Sequence, residues 1–149
     1  MQETVTPVRR RTRRPSVMAW MRLIRVFQKV DHASADNLRC FGISRAHFDV
    51  LAHVGADEGI TQQRLADSLL VTKGNVCQLL DRMEQRGLIE RRQEGRANRL
   101  YLTKEGRELF ERVIPRHEDV IAEQFSALSS DEQFALLDLL RTVDRSLEG

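Results

Sequence analysis

Cysteine, proline and aromatic residues are scarce in this chain. Its 149 residues include two cysteines, three prolines, one tryptophan, one tyrosine and six phenylalanines. Two thiols, Cys40 and Cys77, cannot build a disulfide framework. No apolar run approaches the roughly 18 residues that a membrane-spanning helix needs. The opening stretch MQETVTPVRRRTRRPS has charge but neither an apolar centre nor a small-residue cleavage site, so it does not read as a signal peptide. These absences point to a reducing compartment, the cytoplasm. Signatures of catalysis are missing as well. There is no nucleophile elbow, no glycine-rich phosphate loop and no metal-binding helix motif, and acidic pairs such as Asp57–Glu58 fall in turns. The chain therefore does not read as an enzyme, and no cofactor is expected. His32, His47, His53 and His117 form no i, i+4 pair, and no Cys/His group has zinc spacing, so no metal site is expected either.

What is abundant is charge, and it is unevenly spread. The net charge is +2. Residues 1–60 hold ten Lys/Arg against six Asp/Glu, residues 61–103 eight against five, and residues 104–149 six against eleven. A basic front and an acidic rear suit a chain whose first two thirds meet a polyanion. Five arginines lie between Arg9 and Arg14, in a stretch (1–15) that reads as a flexible basic arm. A phosphate-contacting arm and a solubilising tail fit that stretch equally well.

Apolar periodicity predicts a helix over about 16–38 and another over 45–56 capped by Ser44. Thr61 caps a third, over 62–70. Thr72 caps a fourth that runs to about Arg86 and stops at Gly87. LIERRQ and NRLYLT then flank the turn EGRA as a hairpin, with Leu100 and Leu102 on one face and Arg99 and Tyr101 on the other. Thr103 caps a helix to about Ala127, which Pro115 should bend, and Ser129 with Glu132 forms a capping box for the last helix. Helices followed directly by a hairpin make the layout of a winged helix-turn-helix.

The fourth helix has an informative front end. Thr72, Lys73, Gly74, Asn75 and Gln78 are short or hydrogen-bonding, while Val76, Leu79, Leu80 and Met83 share the opposite face. A helix entering a major groove needs such a front: Asn and Gln pair with adenine, and Lys reaches guanine or phosphate. Arg82 extends the polar side. The hairpin that follows carries Arg96 and Arg99, the residue type that a narrow minor groove attracts. Thr61, Gln62, Gln63 and Arg64 open the third helix, where side chains and free N–H groups can meet phosphates. The residues by themselves thus point to double-stranded DNA. A winged-helix module that binds only protein is the alternative from another class, and the arginines of the hairpin argue against it.

GISRAHFDVLAHV, TQQRLADSLLVTKGNVCQLLDRMEQRGLIER, LYLTKEGRELF and LSSDEQFALLDLL, in this order and spacing, resemble the MarR family of bacterial winged-helix transcription regulators. The likeness spans roughly residues 16–147. It implies a mainly α-helical fold with a two-stranded wing. Residues 16–40 and 104–149 would supply dimerisation helices, and residues 41–103 a DNA-binding lobe. It further implies a homodimer, acting as a repressor on a pseudo-palindromic operator. The fourth helix would lie in the major groove and the wing in the neighbouring minor groove. Where the family's wing usually carries Asp-Arg-Arg, this chain has Glu94, Gly95 and Arg96. Many members release DNA on binding small aromatic ligands, lodged between the dimerisation helices and the lobe. The resemblance would bring Trp20, His47, Phe48 and Asp49 toward that junction, beside the root of the hairpin, as a wall for an aromatic acid. A redox response through Cys40, next to Arg39, is the alternative mode of control. Cys77 reads as a small packing residue.

Overall fold

The computed structural model describes residues 14–69 and 73–149, with Lys73 and Gly74 by backbone alone. The arginines at 9–13 and the expected cap Thr72 lie outside the described residues. The element order is α1 (Pro15–Cys40), α2 (Arg45–Ala56), α3 (Gln62–Ser68), α4 (Lys73–Gln85), β1 (Ile89–Glu94), β2 (Ala97–Leu102), α5 (Lys104–Gln124) and α6 (Ser130–Leu147). This is the mainly α, winged helix-turn-helix architecture.

Local chemistry accounts for most of the boundaries. Pro15 occupies the first turn of α1, where its missing N–H costs nothing, and starts that helix one residue before Ser16. At the other end, Gly42 N–H bonds to Arg39 O and Ile43 N–H to Leu38 O, with Gly42 at φ 69°. This is a Schellman close, and its hydrophobic partners Leu38 and Ile43 are both buried. α4 ends the same way. Gly87 at φ 72° donates to Glu84 O and Leu88 to Met83 O, again with both apolar partners buried. Ser44, Thr61, Thr103 and Ser129 each accept a backbone N–H as N-caps. Three expected ends move, α1 running on from about 38 to Cys40. α3 stops at Ser68 with Leu69 as its C-cap, and α5 runs through Pro115 but ends at Gln124.

The core of the lobe gathers Val50, Leu51 and Val54 of α2, Leu65 and Ala66 of α3, and Val76, Leu80 and Met83 of α4 against Leu88, Ile89 and Leu100. Each large apolar side chain among them, fully buried, contributes about 1.5–3 kcal/mol. A second cluster, Leu38, Ile43 and Val113, fastens α1 and α5 to it. The hairpin pairs Ile89 with Leu102 through Glu94 with Ala97, leaving Gly95 and Arg96 as the tip. Its root is held on the far edge too: Gly59 N–H bonds to Leu100 O and Leu100 N–H to Ile60 O.

α6 stands apart from all this. None of its residues is buried. Phe134, Leu137, Leu139, Leu140, Val143 and Leu147 are exposed, as are Val17, Met18, Trp20, Met21, Leu23, Ile24, Val26 and Phe27 of α1.

Candidate nucleic-acid interface

The face of α4 opposite its buried stripe Val76–Leu80–Met83 presents Asn75, Gln78 and Arg82, all exposed. Lys73 and Gly74 begin the helix. A groove of about 330 Å³ opens between α4, the start of α3 and the hairpin tip. Thr61, Gln62, Gln63, Cys77, Arg96 and Asn98 line it. The structure therefore brings together the polar start of α3 and the wing arginine, which stand 35 positions apart between Thr61 and Arg96. Arg96 has no hydrogen-bond or ion-pair partner among the described residues. Arg64 lies 3.6 Å from Asp57 across an exposed pair, which screening makes weak.

Two residues behave otherwise than their sequence context suggests. Arg99 is not free at the wing surface. Its Nη1 donates to Gly59 O at 2.8 Å and its Nε lies 3.2 Å from Glu94. It anchors the wing to the α2–α3 loop, which leaves Arg96 as the cation at the tip. Glu94 also accepts from the Tyr101 hydroxyl at 2.9 Å, and the Arg92 guanidinium stands 4.4 Å above the Tyr101 ring. Glu94 thus does supply an internal ion pair to this wing, standing where the Asp-Arg-Arg pattern has its aspartate. Cys77, read as packing, is exposed in the groove, and its sulfur accepts a hydrogen bond from Gln62 Nε2 at 3.0 Å. Its neighbour in the chain, Val76, is the buried one. Only the phase of the helix separates the two, so residue type alone could not tell them apart.

Of the four residues expected to form an effector wall, Phe48 and Asp49 come together, and Trp20 and His47 do not join them. His47 turns toward the end of α4. Its Nδ1 lies 2.7 Å from Ser44 Oγ in the capping box of α2, and burial, then Arg86 and Arg82, push its pKa below the ordinary value. Phe48 and Asp49 face the other way, into a cleft of about 90 Å³ among α1, α2 and α5. There the Phe48 ring centroid lies 4.1 Å from that of His117. Arg45, ion-paired with Asp31, closes one side. Burial raises the Asp49 carboxyl against the pull of Arg45, and burial with Arg45 lowers His117. Trp20 is 61% exposed, farther up α1, and lines neither cavity. Arg96 belongs to the α3–α4 groove and not to this cleft. The physical reason is the 100° step of a helix: consecutive residues 47, 48 and 49 cannot all face one pocket. Arg45 and His117, which no motif marked, complete the cleft instead. Cys40 is exposed, its sulfur directed at Asp36 O, while Arg39 is ion-paired with Asp36.

These two histidines predict a pH dependence. A folded-state pKa below 6.5 means the unfolded chain binds protons more tightly, so their contribution is complete above pH 6.5 and is lost as pH falls below it. The melting temperature should drop between about pH 7.5 and 5.5. The double variant His47→Gln, His117→Asn, in which Gln preserves a capping box, should flatten that drop. An unchanged pH profile in the double variant would move the titration elsewhere.

The family model described as "MarR family" matches residues 41–99, the segment from just after α1 into β2 of the wing. An HTH-type transcriptional regulator of Bacillus cereus is 31% identical over 132 residues, covering 88% of this chain and 90% of its own. A mutant of MarR from Escherichia coli, solved in complex with operator DNA, superposes with a TM-score of 0.76 at 29% identity, over 86% of this chain and 95% of that one. BpsR of Bordetella bronchiseptica, whose structure concerns regulation of DNA binding by 6-hydroxynicotinic acid, shares the fold at TM-score 0.76 and 21% identity, covering 89% and 98%. No helix among the described residues is long and apolar enough to cross a membrane. With its helix-turn-helix, wing and polar α4 front, this chain belongs to the MarR family and is a DNA-binding transcriptional regulator, not an enzyme.

Proposed function

We propose that the chain acts in the cytoplasm as a homodimeric repressor of a pseudo-palindromic operator. α4 would lie in the major groove through Thr72, Lys73, Gly74, Asn75, Gln78 and Arg82. Arg96 would enter the adjoining minor groove, with Thr61, Gln62, Gln63 and Arg64 on the flanking backbone. The observation that carries this is Arg96, with no partner among the described residues, at the tip of a pinned hairpin and across one groove from the polar start of α3. A free guanidinium is drawn to the concentrated negative potential of a narrow minor groove. The uncovered apolar faces of α1 and α6 support the dimer: patches of that extent usually meet a partner. Residues 16–40 and 104–149 would then form the dimerisation region and residues 41–103 the lobe that reads DNA.

Arg96→Ala is expected to weaken binding by about 1–3 kcal/mol and to reduce the salt slope by about one unit per wing. The measurement is an anisotropy titration over a salt series, on a duplex that the wild-type protein enriches from a random library. An unchanged isotherm at every salt would remove Arg96 from the contact surface.

An aromatic acid as releasing ligand belongs to this reading as well, at the α1–α2–α5 cleft and not at Trp20 or His47. Phe48 and His117 would stack on a ring, and Arg45 would exchange Asp31 for the ligand's carboxylate. Such a ligand must favour the DNA-incompetent arrangement, or it shifts nothing. A panel of phenolic and pyridine carboxylic acids added to the same titration tests this, and a panel that releases no DNA removes the effector from the reading.

A further inference from the structure

Two elements can engage neighbouring grooves together only if the angle between them is held. The root of the hairpin is held by the core, through Ile89 and Leu100. Past that point the hairpin leaves the apolar cluster, and a set of polar contacts ties its inner face to α4. Arg91 follows Ile89 on that face, opposite Leu100. Its Nη2 lies 3.1 Å from Glu84 Oε1 and also pairs with Asp81, while its backbone N–H donates to Glu84 Oε2 at 3.2 Å. The Arg91 side chain is 23% exposed, less than either acid. Hydrogen bonding from Arg91 holds the Glu84 carboxyl below its usual range. Asp81 and Glu84 lie three residues apart, one turn of α4, so a single guanidinium spans both. On the opposite face of the hairpin, Arg99 fastens to Gly59 O and Glu94. The wing is thus braced on both faces.

Carboxylates on a helix that approaches phosphate are electrostatically out of place, unless they serve the protein itself. We propose that the Asp81–Arg91–Glu84 bridge is a positioning device for DNA recognition: it sets the wing on α4 so that both reach their grooves at once, and Arg91 does not itself bind phosphate. This rests on the reading that α4 and the wing tip contact DNA.

The sign of one substitution separates this role from a bland one. Glu84→Gln removes a negative charge from the helix that would enter the major groove, while keeping the side chain's shape. If Glu84 were only a surface acid, the variant would bind every duplex more tightly, because fewer like charges oppose the phosphates. If it positions the wing, the variant loses selectivity. The experiment uses the full chain, as wild type, Glu84→Gln, Asp81→Asn and Arg91→Gln. Each is titrated by anisotropy over a potassium chloride series against two probes: the duplex enriched by wild type from a random library, and a random-sequence duplex of equal length. Circular dichroism melts confirm that each variant is folded, and Asp81→Asn supplies an independent arm should Glu84→Gln fail to fold.

The expected result is about a tenfold loss on the enriched duplex, equivalent to about 1.4 kcal/mol. The random duplex should be bound as well as by wild type or better. The salt slope on the enriched duplex should be unchanged in Arg91→Gln, since no phosphate contact is lost. Tighter binding of both duplexes by Glu84→Gln would overturn the proposal, as would a slope reduced by about one unit per protomer in Arg91→Gln, which would make Arg91 a phosphate ligand. If wild type enriches no sequence at all, the reading of the DNA face fails, and the bridge falls with it.

Discussion

Gly106→Ala is expected to destabilise the protein by about 3 kcal/mol, the upper end of overpacking costs, lowering its melting temperature by about 6–12 °C. Gly106 sits in the first turn of α5, and a Cβ there would stand 1.9 Å from the carbonyl oxygen of Leu88. That obstacle is backbone and cannot rotate aside as a side chain can. Leu88 is held in turn. Its N–H closes α4 on Met83, and its carbonyl accepts from Thr103 N–H at 3.1 Å. Thr103 caps α5 through Gly106 N–H and also donates its hydroxyl to Gly87 O. The end of α4, the root of the wing and the start of α5 therefore meet at one point, and relief of the clash at any of them strains the others. Gly42→Ala, where a Cβ meets nothing, is the control: only its positive φ is unfavourable, at a cost of about 1 kcal/mol. A Gly106→Ala protein that melts with the control would show that α5 does not approach Leu88 this closely. Because the wing root moves with Leu88, binding to the enriched duplex should weaken in the same variant.

The double variant Leu137→Glu, Leu140→Glu is expected to convert the proposed dimer to a monomer and to weaken binding to the enriched duplex by about 10²–10⁴-fold, the factor that loss of a linked second half-site carries. Both leucines line an apolar groove of about 430 Å³ between α5 and α6, with Ile121, Phe125 and Leu136. Neither is buried within its own chain: Leu137 is 39% and Leu140 40% exposed. Helical circular dichroism should therefore be retained while the sedimenting mass halves. This combination separates an interface from a core, where the same charges would unfold the chain. A variant that stays dimeric and tight-binding would place the interface elsewhere, with the α1 face around Met21 and Ile24 the next to alter.

The winged helix-turn-helix was legible in the sequence because its boundaries are local events. Ser44, Thr61, Thr103 and Ser129 cap helices through N–H groups three residues away, and Gly42 and Gly87 close them through neighbours within five. The phase of α4 was legible for the same reason: Val76, Leu80 and Met83 share one face by arithmetic alone. That phase also left Asn75, Gln78 and Arg82 outside. The uncovered faces of α1 and α6 could likewise be anticipated from more apolar side chains than a small lobe can bury.

What only the tertiary structure decided is which charged and polar groups remain available. Arg96 and Arg99 look alike in sequence, three residues apart on one hairpin. Arg99 is bound to Gly59, forty positions earlier, because the α2–α3 loop runs along the free edge of β2. Arg96 lies beyond the reach of that loop. Arg91 is likewise committed to α4 by a contact that depends on how the hairpin folds back over the helix. The cleft joining Phe48, Asp49, Arg45 and His117 draws on three helices, while the adjacent His47 is rotated out of it. Hydrophobic periodicity is a property of neighbours along the chain, and so it is written in the sequence. The partner of a guanidinium or a ring is set by distances across elements, and only the packed molecule fixes those.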